Sequence, residues 1–152
     1  MKIEYRKGDL FQTSIHTIVH GCNAQGVMGS GIARIVKERY TEAYDRYRND
    51  WQHCLNGELP MGVISVVPSK DKLIINAITQ RYYGRDGKRY VSYDAISDCM
   101  RKINQSLVPL FKVEPIIAMP QIGAGLGGGD WNVIEAIIES ELTNIKPVVY
   151  TL

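Results

Sequence analysis

Two glycine-rich runs constrain this chain more than anything else in it, because each follows a β-type run and leads straight into a stretch of helical spacing. The first is Gly21-Cys22-Asn23-Ala24-Gln25-Gly26-Val27-Met28-Gly29-Ser30-Gly31-Ile32-Ala33, which follows the apolar run Thr17 to His20. The second is Gln121-Ile122-Gly123-Ala124-Gly125-Leu126-Gly127-Gly128-Gly129-Asp130-Trp131, with five glycines in the seven residues 123–129. That is more than a turn requires, and the excess costs backbone entropy on folding. Glycine lets a backbone approach a ligand closely, and a helix start offers unpaired N–H groups and a positive dipole end. Two such loops read as a clamp around a bridged pair of phosphates. The first loop has the order G-x-x-G-x-G, which is neither the dinucleotide fingerprint nor a Walker loop, since no Lys-Ser/Thr pair follows it.

The rest of the chain alternates strands with helices. β-type runs occur at Lys2 to Tyr5, Thr17 to His20, Gly62 to Val67, Lys72 to Ala77, Pro115 to Met119 and Pro147 to Thr151. A first helix is expected to start near Gly29. It buries Ile32, Ala33, Val36, Tyr40, Ala43 or Tyr44, and Tyr47 on one stripe of 3.6-residue period. A second starts after Ser92, an N-cap residue, and buries Ala95, Ile96, Cys99, Met100, Ile103 and Leu107 before Pro109 stops it. A third starts at Asp130, also suited to capping, with Ile134, Ile137, Ile138 and Leu142 facing in. Such alternation implies an α/β fold with a mostly parallel or mixed sheet covered on both faces. Ligands in these sheets sit where loops leave the carboxyl ends of the strands.

Composition narrows the class. At 152 residues, with 45% apolar and 22% charged side chains, the chain suits one domain over residues 1–152 that needs no disulfide or metal to hold it. The formal net charge of +2 gives no case for a nucleic-acid partner. Cys22, Cys54 and Cys99 are far apart and lack CxxC spacing, so neither a disulfide framework nor a zinc cluster follows. No apolar run approaches the roughly 18 residues of a membrane span. A cytoplasmic monomer is the expectation. His16 and His53 have no motif around them and read as surface or packing residues.

Taken in order, Gly8-Asp9-Leu10, His20-Gly21-Cys22-Asn23 leading into Gly26 to Ala33, Ile78-Thr79-Gln80, and Pro120-Gln121-Ile122-Gly123-Ala124-Gly125-Leu126-Gly127-Gly128 resemble the macro domain family. The likeness spans essentially the whole chain. Within the family it is nearest the branch of ADP-ribose 1''-phosphate phosphatases, terminal ADP-ribose protein glycohydrolases and DNA ADP-ribosyl glycohydrolase antitoxins. The resemblance implies a three-layer α/β/α sandwich around a mixed sheet of about six strands. It also implies ADP-ribose or ADP-ribose 1''-phosphate as ligand, with no metal and no cofactor.

The same resemblance assigns roles. Asp9 matches an aspartate that accepts a hydrogen bond from the adenine amine, with Leu10 beside it. Asn23 matches an asparagine that touches the hydroxyls of the distal ribose. Gly29, Ser30, Gly31 and Ile32 match the first diphosphate loop, and Gly123, Ala124, Gly125, Leu126 and Gly127 the second. The chain departs from the pattern at two places. Gln80 stands where the glycohydrolases of this branch carry a lysine, and Gly127 where the protein glycohydrolases carry an aspartate. A neutral amide cannot attack an anomeric carbon as an amine can.

Removal of a phosphate from the distal ribose of ADP-ribose 1''-phosphate therefore leads. Asn23, His20 and Asp130 are the candidate catalytic residues, with His20 as a base or acid that could titrate near neutrality. His20 also fits a hydrogen-bonded core histidine, and Asp130 a simple helix cap. The alternatives are a reader that binds ADP-ribose or ADP-ribosylated macromolecules without turnover, and a glycohydrolase acting without the lysine. Tyr82 and Tyr83 either cover the ribose or pack against the first helix. The segment Tyr83 to Tyr90 reads as a hairpin or loop with a D-G turn.

Overall fold

The computed structural model describes residues 1–107 and 115–152. Its elements are β1 (Glu4–Lys7), β2 (Thr17–Asn23), α1 (Gly31–Arg39), α2 (Thr41–Gln52), β3 (Ile64–Ser69), β4 (Lys72–Gln80), α3 (Tyr93–Leu107), β5 (Ile116–Met119), α4 (Trp131–Glu141) and β6 (Lys146–Thr151). Among the described residues the strands form one sheet in the order β1-β6-β5-β2-β4-β3. β3 runs antiparallel to β4, and the other neighbours pair in parallel. This is the mixed sheet of an α/β/α sandwich. No helix among the described residues is long and apolar enough to cross a membrane.

Strand alternation sorts the core into two halves. Ile18, Ile74 and Ile78 face α1 and α2, where they meet Val36, Tyr40, Ala43 and Tyr47. Their neighbours Val19 and Ile75 face α3 and α4 and meet Ile96, Met100, Ile103, Ile134 and Ile138. A strand buried on both faces reads as a near-continuous apolar run, as β4 does.

The helix expected from Gly29 through Tyr47 is two helices. Tyr40 closes α1 and opens α2 at φ −123° and ψ 68°, outside the helical region. The bend buries its ring, which lies 6.3 Å from the Phe11 ring between centroids. The apolar stripe runs through the break because both helices dock on the same face. The other two helices start where the sequence indicates. Ser92 Oγ accepts from Ala95 N at 3.1 Å, and Asp130 Oδ1 from Asn132 N at 2.9 Å. Pro109, expected to end α3, lies outside the described residues.

β2 and β4 run further than their apolar runs suggest. Gly21 pairs with Ala77 and Cys22 with Ile78, after which the register shifts so that Asn23 pairs with Gln80. The strand passes through Gly21, where Thr79 leaves no room for a side chain: a Cβ there would lie 2.8 Å from Thr79 Oγ1. β2 then sends the chain to α1 on one face, while its parallel neighbour β5 leads to α4 on the other. A crevice opens where the two loops diverge.

Candidate functional site

The crevice is a cavity of about 680 Å³. Its lining brings together Asn23, Gly29, Ser30, Gly31, Ile32, Gln80, Gly123, Gly125, Leu126 and Gly127 from the sequence-predicted set. Both glycine runs therefore face one space.

The first loop is held from behind. Asn23 Oδ1 accepts from Gln25 N at 2.9 Å and lies 3.0 Å from the Tyr47 hydroxyl, while Asn23 Nδ2 donates to Val27 O at 2.7 Å. One amide hydrogen of Asn23 is left to offer the cavity. Arg48 Nη1 donates to Gly26 O at 2.7 Å. Gly26, at φ +78°, has no room for a side chain, since a Cβ would lie 2.7 Å from the Trp51 ring. Ser30 caps α1 with no side-chain hydrogen bond to the helix, and Gly31 enters it at φ +62°. The N–H groups of Gly31, Ile32 and Ala33 find no backbone partner among the described residues. An anion placed there meets unpaired donors and the positive end of α1.

The second loop is folded on itself. Gly128 N donates to Gly125 O at 3.1 Å and Gly129 N to Gly123 O at 2.7 Å. Tyr90 N and Val91 N both donate to Gly127 O, at 2.7 and 3.1 Å. The N–H groups of Gly125, Leu126 and Gly127 are left without a backbone partner among the described residues. A Cβ on Gly127 would lie 2.8 Å from Gly123 O, so a side chain at this position would force the loop to shift. Gly125 differs, for nothing lies within 4 Å of a Cβ built on it.

Other sequence-predicted residues lie outside the lining, and each has a physical reason. His20 is fully buried on the α2 side of the sheet, with Nε2 2.6 Å from Asn76 Oδ1. Asn76 Nδ2 donates to Ala43 O at 3.0 Å, so Oδ1 is the acceptor and His20 carries its proton on Nε2. Burial pulls the imidazole pKa down to about 4, with the Asn76 bond a partial offset. A neutral ring walled off from the cavity is not a general base, and the catalytic part expected for His20 is withdrawn. Asp130 is exposed and caps α4, with no atom in the lining. Asp9 caps the single 3-10 turn Leu10–Gln12 by accepting from Phe11 N at 2.9 Å, and Leu10 is buried in the core. Asp9 nevertheless lies on the sheet edge that carries both loops, just past β1, roughly 14 Å from β2 at ordinary strand spacing. Ala124 is half-buried and turned out of the lining.

The cavity also holds Tyr83, for which a place over the ribose was one of two expectations, and residues that were assigned no place in the site from the sequence. Thr79, Tyr83, Gly84, Arg85 and Gln121 line it. Tyr83 is 53% exposed and Tyr82 51%, so neither packs under the first helix. Arg81 stays outside, bound to Glu58 at 3.0 and 3.1 Å, with Tyr82 under its guanidinium. Cys22 reaches the lining too, but burial pushes its thiol well above the ordinary range, leaving it a poor nucleophile. Among the described lining residues there is no lysine, histidine, aspartate or glutamate.

Comparison with known proteins decides the family. The model of the macro domain matches residues 19–138. The chain belongs to the macro domain family. This macro domain is 30% identical over 97% of its length to a Mycobacterium tuberculosis protein named DNA ADP-ribosyl glycohydrolase, and it spans 42% of that protein. It is 26% identical to the ADP-ribose 1''-phosphate phosphatase of Candida albicans, covering 99% of both chains. Among solved structures, the macrodomain of Mycobacterium tuberculosis DarG superposes with a TM-score of 0.80 at 29% identity, covering 99% of this chain and 97% of that one. The macro domain thus has relatives named for two different reactions.

Proposed function

We propose that this macro domain binds ADP-ribose across the cavity and hydrolyses ADP-ribose 1''-phosphate to ADP-ribose and phosphate. The observation that carries the reading is the pair of N–H rows without backbone partners among the described residues, at Gly31 to Ala33 and at Gly125 to Gly127, in two loops that line one cavity. They suit a diphosphate bridged between the loops. The distal ribose then falls toward Asn23 and Gln80, which are paired in the sheet.

Two residues favour phosphate removal over glycosidic cleavage. Gln80 lines the cavity and donates from Nε2 to Tyr82 O at 2.8 Å, an amide tied to its own turn. Gly127 carries no carboxylate, and a side chain there would force the loop to shift. In the proposed reaction, water attacks phosphorus opposite the anomeric oxygen, and the bond between phosphorus and that oxygen breaks. One proton of the water ends on the departing ribose oxygen, relayed through a phosphate oxygen, and the other stays on the released phosphate. Such a transition state is loose, so positioned donors matter more than a strong base.

A second reading, recognition without turnover, is favoured by the lack of any carboxylate, imidazole or amine among the described lining residues. One experiment separates the readings. The purified protein is incubated, without added metal, with ADP-ribose 1''-phosphate, ADP-ribosylated protein and ADP-ribosylated DNA, and released phosphate and ADP-ribose are measured. Phosphate from the first substrate alone supports the phosphatase. Tight ADP-ribose binding with no release supports the reader, and release of ADP-ribose from either macromolecule refutes the argument from Gln80.

A further inference from the structure

The loop between β4 and α3 carries four cations, and three of them are occupied. Arg81 pairs with Glu58 at 3.0 Å, Lys88 lies 3.9 Å from Asp86, and Arg89 sits 4.7 Å from the centre of the Tyr93 ring. Arg85 has neither ion pair nor ring partner among the described residues. It is also the sole lysine or arginine among the described residues of the cavity lining.

The loop that carries it is held in place. Tyr90 donates from its hydroxyl to Asp86 at 2.8 and 2.9 Å, and Tyr90 N donates to Gly127 O. Gly84 lies against the Tyr90 hydroxyl with no space for a side chain, and Gly128 likewise against Lys88 O. Arg85, between Gly84 and Asp86, is thus carried on a turn fastened to the second glycine loop. It lines the same cavity as Gln80 and Tyr83, its near neighbours in the chain, and Gln80 is the sheet partner of Asn23.

A diphosphate held between two rows of N–H groups does not need this charge. A second anion beyond the distal ribose does. We propose that Arg85 is the specificity determinant that reads a terminal phosphate on the ligand's distal ribose, its planar fork offering two donors to the phosphate oxygens. The proposal rests on the ADP-ribose reading above and deepens it.

The test is calorimetric titration of wild type, Arg85→Gln and Arg85→Lys with ADP-ribose and with its non-hydrolysable 1''-phosphonate analogue, alongside thermal melts. Wild type is expected to prefer the phosphonate by about 10- to 100-fold, the worth of hydrogen bonds between charged groups. Arg85→Gln is expected to bring that preference close to unity while its ADP-ribose affinity and Tm stay at wild-type values. Arg85→Lys is expected to fall between. An unchanged preference in Arg85→Gln, or an equal loss for both ligands, overturns the assignment of Arg85 while leaving the ADP-ribose reading intact. Failure of wild type to bind ADP-ribose at all overturns that reading, and the role of Arg85 with it.

Discussion

Gly125 and Gly127 stand two residues apart and answer to different demands. A Cβ at Gly125 meets nothing within 4 Å beyond its own chain neighbours, so Gly125→Val is expected to melt like wild type yet lose ADP-ribose binding in a calorimetric titration. Retained affinity there would count against the clamp. Gly127→Asp drives a Cβ to within 2.8 Å of Gly123 O and is expected to lose about 1–3 kcal/mol in urea unfolding. His20 has a different signature. Its pKa is about 4 in the fold and about 6.5 when exposed, so between these values the unfolded chain binds a proton that the folded chain refuses. Stability is therefore full above that window and falls as pH drops through it, by on the order of 3 kcal/mol from this group alone. His20→Gln, which can still donate to Asn76, is expected to flatten the loss between about pH 7 and about pH 5, measured by urea midpoints.

At the scale of elements, capping and catalysis separate at Asp130. Asp130→Ala is expected to lose about 1 kcal/mol of stability, read from the urea midpoint, with ADP-ribose affinity unchanged. A fall in turnover without a fall in stability would restore Asp130 to the chemistry. The caps at Ser92 and Asp130 were legible because a short polar side chain before an apolar periodic run has a local cause. The two loops were legible because surplus glycine has no other use. Two features were not legible and the place of His20 stayed open between two readings, each because it depends on what packs from elsewhere. Tyr40 breaks a helix whose stripe continues across it, and its ring is buried near Phe11, a residue distant in the sequence. His20 adjoins the first loop in sequence, yet strand alternation turns it away beneath α2. Arg85 gave no signal, since its distinction from Arg81, Lys88 and Arg89 is which of them lacks a partner.

The whole molecule responds to ligand through mass action. At a ligand concentration about 100 times the Kd, the folded state gains about 2.7 kcal/mol, and Tm is expected to rise by roughly 5–10 °C in a thermal melt. Gly125→Val is expected to show no such rise. One consequence of the buried pair His20 and Asn76 reaches past stability. The described lining offers no carboxylate, imidazole or amine, so between weakly acidic and weakly alkaline solution the pocket has nothing of its own to discharge. The buried imidazole of His20 belongs to β2 itself, one residue before the run that becomes the first loop. Protonation of His20 loosens the wall behind the loop, so acid release of an ADP-ribose held here is expected to follow the loss of the fold.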